Sequence, residues 1–170
     1  GEGKPRYKLF LTKKKEKGVL ANTWLNKLPS NQEGSREIKD LFGEIIFDTP
    51  KPVGLIKFLI NLSTSRDSII LDFFSGSSST ADAVIQRNIE DSGCRKFINV
   101  QLPEKLEIKE SFDNLNFKTI SEIGKERIRR VVKKIKEDHP EKSKEIDLGF
   151  KVFKLDSSNI KSWDGNPENL

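Results

Sequence analysis

At 170 residues the chain has the length of one domain, or part of one, and enough material to bury a core. Apolar residues make up 34% and charged residues another 34%, which fits an elongated piece with much solvated surface, or a piece of something larger, better than a compact enzyme. The net charge of +5 permits a polyanionic partner without requiring one, a single cysteine (Cys94) excludes an intrachain disulfide, and with no signal peptide or bilayer-length apolar run a cytoplasmic setting is expected, with no membrane partner.

From the amino terminus, Pro5 to Leu25 reads as two strands around a turn, with Tyr7, Leu9 and Leu11 alternating in the first. The turn carries Lys13, Lys14 and Lys15, which serve either as a solvated tip or as contacts for nucleic-acid phosphates. Pro29 to Ser35 has loop composition, and Glu37, Ile38, Leu41 and Phe42 predict a short helix stopped near Gly43. A brief apolar run, Ile45-Ile46-Phe47, leads into Asp48-Thr49-Pro50-Lys51-Pro52. Pro52 suits a first helical turn, and Val53, Ile56, Leu59 and Ile60 give an amphipathic helix ending near Asn61 and packed on a sheet.

Ser68 to Glu104 reads as strand, Gly/Ser loop, helix and strand. Ile69-Ile70-Leu71 is a continuous apolar run, expected of a parallel strand covered on both faces, and Phe73-Phe74 is a candidate extension. Ser75-Gly76-Ser77-Ser78-Ser79 breaks it. Ala81, Val84, Ile85 and Ile89 form a buried helical stripe, with Ser78, Ser79 or Thr80 as the cap and Asp91-Ser92-Gly93 as the stop. Phe97, Ile98, Val100 and Leu102 supply a second strand, parallel to the first because a helix crosses between them.

The turn after a first parallel strand is either a plain connection whose hydroxyls cap the helix or a ligand cradle. In the second case Gly76 admits a close backbone approach, the helix-start amides favour an anion, and Asp72 accepts bonds from the loop or from a ligand amine. There is no GxxxxGK[ST], so no lysine meets a β/γ-phosphate, and Ser78 stands where the second glycine of G-x-G-x-x-G belongs.

Lys105 to Lys118 is polar and irregular, with Phe112 and Phe117 as anchors. Thr119-Ile120-Ser121-Glu122 is a capping-box pattern opening a helix striped by Ile120, Ile123, Ile128, Val131, Val132 and Ile135. Its cations, Arg127 and Arg130 among them, are either a solvated face or contacts for a polyanion. His139 has no cysteine or histidine at ligand spacing, so no metal site is expected. Phe150, Val152, Phe153 and Leu155 predict a closing strand added to the sheet, followed by a mobile tail.

LDFFSGSSSTADAV resembles motif I of the S-adenosylmethionine-dependent DNA amino-methyltransferases, D-P/F-F-x-G-S-G-T-T, and most closely that of the modification subunits of type III restriction systems. FDTPKPVGLIKFLI, RKFINVQLPE, ISEIGKERIRR and GFKVFKLDSSNIK extend the similarity over most of the chain from Trp24 onward. The resemblance implies an α/β, partial Rossmann-like methyltransferase fold beside a small N-terminal β-hairpin region. Residues 1–43 would end a target-recognition region, 44–156 would be the cofactor-binding half, and 157–170 a tail. It implies Asp72, Phe73, Ser75, Gly76 and Ser77 at the methionine end of S-adenosylmethionine, Asp48, Thr49 and Lys51 at the pocket mouth, and Gln101 and Glu104 at the ribose. Gln101 falls where related enzymes have Asp or Glu. The partners implied are double-stranded DNA and the restriction subunit, with a homodimer compatible. The [DN]-P-P-[YFW] motif that holds the target amine is absent, and position 1 is not methionine. The expectation is the carboxyl-terminal piece of an adenine methyltransferase, with no catalytic residue of its own. The other readings are a non-catalytic DNA-contact or assembly module, and a small-molecule methyltransferase or nucleotide binder unrelated to DNA.

Overall fold

A computed structural model describes residues 28–106 and 117–156. The expected hairpin over 5–25 with Lys13, Lys14 and Lys15, the Phe112 anchor and the tail from 157 lie outside the described residues. Within them the order is α1 (Asn31–Phe42), α2 (Val53–Ser63), β1 (Ile69–Asp72), α3 (Ser79–Asp91), β2 (Lys96–Asn99), α4 (Ile120–Asp138) and a single turn, α5 (Lys142–Glu145). None of these helices is long and apolar enough to cross a membrane.

β1 and β2 pair in parallel, Ile69 with Lys96 through Asp72 with Asn99, and α3 makes the crossover. This is the expected β-α-β unit. α3 is its centre. Ala81, Ile85 and Ile89 pack against Ile128, Val131 and Ile135 of α4, while Ala83 and Val84 pack against Val53 and Ile60 of α2, with Ile70 and Phe97 of the sheet beneath. A third cluster joins Ile38 and Phe42 of α1 to Ile46 and Ile123, and Phe117 meets Phe42 edge-on at 6.2 Å. The boundary expected at residue 43 therefore runs beside a shared core.

Four expectations change. The stretch read as a loop from Pro29 is helical from Asn31, because Glu33 Oε2 accepts the Ser30 amide at 2.7 Å and closes the N-terminus. Gly43 ends α1 as expected, in the left-handed region at φ 89°. β1 stops at Asp72 rather than running through Phe73-Phe74. Among the described residues the strands are covered on one face only: Ile69, Leu71 and Ile98 are each more than half exposed, because α2, α3 and α4 all lie on the other side. Finally, residues 150–155 add no strand. Leu148 is buried and Phe150 half-buried against the α3–α4 core, which takes this segment away from the sheet and leaves Val152, Phe153 and Leu155 exposed.

Candidate cofactor-binding site

The Gly/Ser loop is built by three strand-end residues and one helix. Val100 N donates to Asp72 O and Ser75 N to Val100 O, carrying the parallel ladder past β1 and fixing where the chain turns. Asp72 then holds the loop with its side chain: Oδ1 accepts the Phe74 amide at 3.1 Å and Oδ2 the Thr80 hydroxyl at 2.6 Å. From β2, Asn99 Nδ2 donates to Ser75 Oγ at 2.9 Å, and Gln101 Oε1 accepts the Gly76 amide at 2.7 Å. Gly76 sits at φ 51° and Ser78 at φ 61°. The left-handed region is open to glycine and costs other residues about 1–2 kcal/mol, so Ser78 must be held there. Its Oγ bonds Ser75 Oγ at 3.0 Å, and its amide bonds the Ser75 carbonyl.

None of the hydroxyls expected to cap α3 does so. Ser78 binds Ser75, Ser79 binds Arg127 and Thr80 binds Asp72. Ser79, Thr80 and Ala81 open the helix, so their amides have no intrahelical acceptor. Such a helix start favours an anion.

Beneath the loop lies Arg127 of α4, one per cent exposed. Its Nε donates to Asp82 Oδ2 at 3.0 Å, Nη2 lies 2.9 Å from the same oxygen, and Nη1 donates to Ser77 Oγ and Ser79 Oγ at 3.2 and 2.8 Å. Glu37 completes the group, 3.6 Å from Nη2, while accepting the Val53 amide. Burial holds the Glu37 carboxyl above the usual carboxylate range, against the lowering influence of that amide and of Arg127. The DNA-contact assignment of Arg127 is thus corrected: the guanidinium is enclosed and every nitrogen has a partner inside the fold. Arg130 is also turned inward, donating to Glu126 and to the Leu41 carbonyl and lying 4.6 Å over the Phe42 ring.

A hollow of about 220 Å³ opens beside the loop. Of the residues expected there, Asp72, Ser75, Gly76 and Ser77 line its floor, and Thr49 and Lys51 line its rim. Asp48 is exposed and outside the lining. Phe74, not Phe73, faces the hollow; the Phe73 ring leans on it at 5.1 Å. Gln101 is across the loop, with its carbonyl oxygen engaged by Gly76, and Glu104 is exposed and outside the lining. Phe47, Ile56, Ser79 and Thr80 complete the wall and were not anticipated as site residues. Phe47 carried a signal as the last apolar residue before Asp48, and Ser79 and Thr80 fall at the two closing Thr positions of the motif that the loop resembles. A larger cleft of about 360 Å³ lies between α1, α2, α3 and α4; of its carboxylates, Asp82 and Glu37 face Arg127 and Glu90 faces Lys57.

This geometry offers a carboxylate at a strand end, a lysine on the rim and uncapped amides at a helix start around one small hollow, the arrangement for a zwitterion with amine and acid a few ångströms apart. Its volume is below that of a site enclosing a whole drug-sized ligand, so only one end of a larger molecule would fit it.

Residues 3–137 match the family described as DNA methylase. Among curated relatives, the Type III restriction-modification enzyme StyLTI Mod subunit of Salmonella typhimurium (strain LT2) is 42% identical over 82% of this chain and 21% of its own length. The EcoPI Mod subunit of Escherichia phage P1 is 39% identical over 84% of this chain and 21% of its own. The Type II methyltransferase M.KpnI of Klebsiella pneumoniae is 35% identical over 59% of this chain and 24% of its own. The chain thus spans about a fifth to a quarter of the length of these relatives. It belongs to the DNA methylase family, and over most of its length it is similar to Mod subunits of type III restriction-modification enzymes.

Proposed function

We propose that this chain is the cofactor-binding part of a site-specific DNA adenine methyltransferase that uses S-adenosylmethionine. The observation that carries the reading is the hollow beside Gly76, with Asp72 and Lys51 on its walls. Lys51 and the amides of Ser79 and Thr80 would meet the carboxylate of the methionine end, and Asp72 its ammonium. Bound there, the cofactor supplies an electrophilic methyl on a sulfonium. The chain's own part is to orient that group and to exclude water from one side of it.

Residues 44–156, with α1 packed on them, form the cofactor half; residues 1–43 would end the target-recognition region, and 157–170 would be a tail. The amine-holding [DN]-P-P-[YFW] residues are absent from this sequence, so methyl transfer would need a further segment, and the chain alone would not methylate. Double-stranded DNA and a restriction subunit are the partners of the whole enzyme under this reading, in the cytoplasm. The alternative, a module that only contacts DNA, loses support because Arg127 and Arg130 are engaged inside the fold.

Calorimetric titration of the full chain with S-adenosylmethionine tests the proposal. Binding is expected, and Asp72→Ala should weaken it by roughly tenfold or more, the loss of one charge-assisted contact. No heat from the unmodified chain, or equal affinity in the variant, would refute the cradle.

A further inference from the structure

We infer that α4 sets the conformation of the Gly/Ser loop, with Gly124 and Arg127 as positioning residues for it. The inference rests on the reading of that loop as the cofactor cradle and adds what holds the cradle in shape.

Two independent observations carry it. The first is the approach of the α4 backbone itself. A Cβ on Gly124 would lie 2.4 Å from Ser78 Oγ and 3.3 Å from both Ser78 Cβ and the Gly76 carbonyl oxygen. Gly124 is the fifth residue of α4 and needs no unusual backbone angle, so its place is explained by that contact. The second lies one turn on, where Arg127 bonds the hydroxyls of Ser77 and Ser79. Glycine and arginine, three residues apart, share one face of α4. Together they touch the carbonyl of Gly76 and the side chains of Ser77, Ser78 and Ser79.

Ser78 is where this sequence departs from the glycine of the motif it resembles. Its side chain fills the gap that a bare glycine would leave under α4. The two positions are therefore coupled: a small residue on the helix permits a side chain on the loop. Asp82 balances the charge of Arg127, so the guanidinium can lie under the loop without an unpaired buried cation.

The test uses the full chain with two readouts, amide hydrogen exchange over residues 75–80 and the calorimetric affinity for S-adenosylmethionine. Gly124→Ala improves intrinsic helix propensity, so damage to α4 itself is not the expected result. The added methyl should push Ser78 aside, raising loop exchange and weakening affinity, each on the order of tenfold, while exchange within Val84–Ile89 stays unchanged. Adding Ser78→Gly removes the obstructing side chain and should restore both. Wild-type behaviour in Gly124→Ala would overturn the inference, and so would damage that Ser78→Gly fails to repair. Should Gly124→Ala not fold, the double variant decides: a folded chain with an ordered loop upholds the coupling, and an unfolded one ends it. If the unmodified chain binds no cofactor yet loop exchange follows this pattern, the cofactor reading falls while the positioning role stands.

Discussion

The two faces of the β1–β2 ribbon differ sharply. On one side Ile70 and Phe97 lie under α2 and α3, and the strand ends run into a loop pinned by Asp72, Asn99, Gln101 and Arg127. On the other side Ile69, Leu71 and Ile98 are bare among the described residues, each more than half exposed. The strands have the composition of a parallel sheet buried on both faces, yet everything that shapes the loop comes from one. The contacts described for the loop therefore gather on the covered side.

The largest effect should come from the centre of the covered side. Arg127→Met would strip Asp82 of its buried partner and leave Ser77 and Ser79 without their shared donor. Removing one member of a buried pair costs about 3–5 kcal/mol, enough to threaten the fold of so small a core. Denaturant unfolding measures it. Arg127→Met with Asp82→Leu should recover a substantial part, since the fully buried carboxylate leaves with its partner and only the half-buried Glu37 loses its cation. A loss under about 1 kcal/mol in the single variant would mean that water reaches the guanidinium, against its burial.

Next comes a direct contrast of the faces. Ile85→Ala, in the α3–α4 cluster where the isoleucine is 4% exposed, should cost about 2–5 kcal/mol. Leu71→Ser on the bare face, at 57% exposed, should change stability by about 0.5 kcal/mol or less and reduce self-association of the isolated chain. A large loss in Leu71→Ser would show that the bare face is covered in solution.

The same contrast explains what was legible in the sequence. The β-α-β unit stood out because an apolar run, a Gly/Ser break and a stripe at Ala81, Val84, Ile85 and Ile89 each carry a distinct local signal, and all four stripe residues are buried. The floor of the hollow followed from it, since the end of such a strand is where a loop can meet a ligand. Arg127 was misjudged because it sits in a run of cations. Its spacing held the correction: four residues from both Ile123 and Val131, it falls on the buried stripe rather than opposite it. Gln101 was read for a ribose, but side-chain direction past a strand end is set by tertiary contact, here with the Gly76 amide. The strand expected over Phe150 to Leu155 failed for a related reason: tertiary packing of Leu148 and Phe150 on the α3–α4 core, not alternation, decides where the segment lies.

The smallest effect is a pH signature confined to the covered side. Burial raises the Glu37 carboxyl, so the stability linked to it is present below the unfolded-state value and is lost as pH rises through the folded-state one. Asp91 runs the opposite way. Its hydrogen bond from Arg95, reinforced by the charge of that arginine, lowers its pKa, so its contribution is present above the ordinary carboxylate value and is lost as pH falls through the lowered one. Melting temperatures at about pH 4 and pH 7 bracket Glu37, and a third at about pH 2 reaches below Asp91. Glu37→Gln keeps an acceptor for the Val53 amide and should gain stability at the neutral end relative to the acid end. Asp91→Asn should do the reverse, losing at pH 7 and converging on the parent in acid. Equal shifts at both pH values in Glu37→Gln would mean that its carboxylate stays solvated, and the contrast between a sealed face and an open one would then end short of α1.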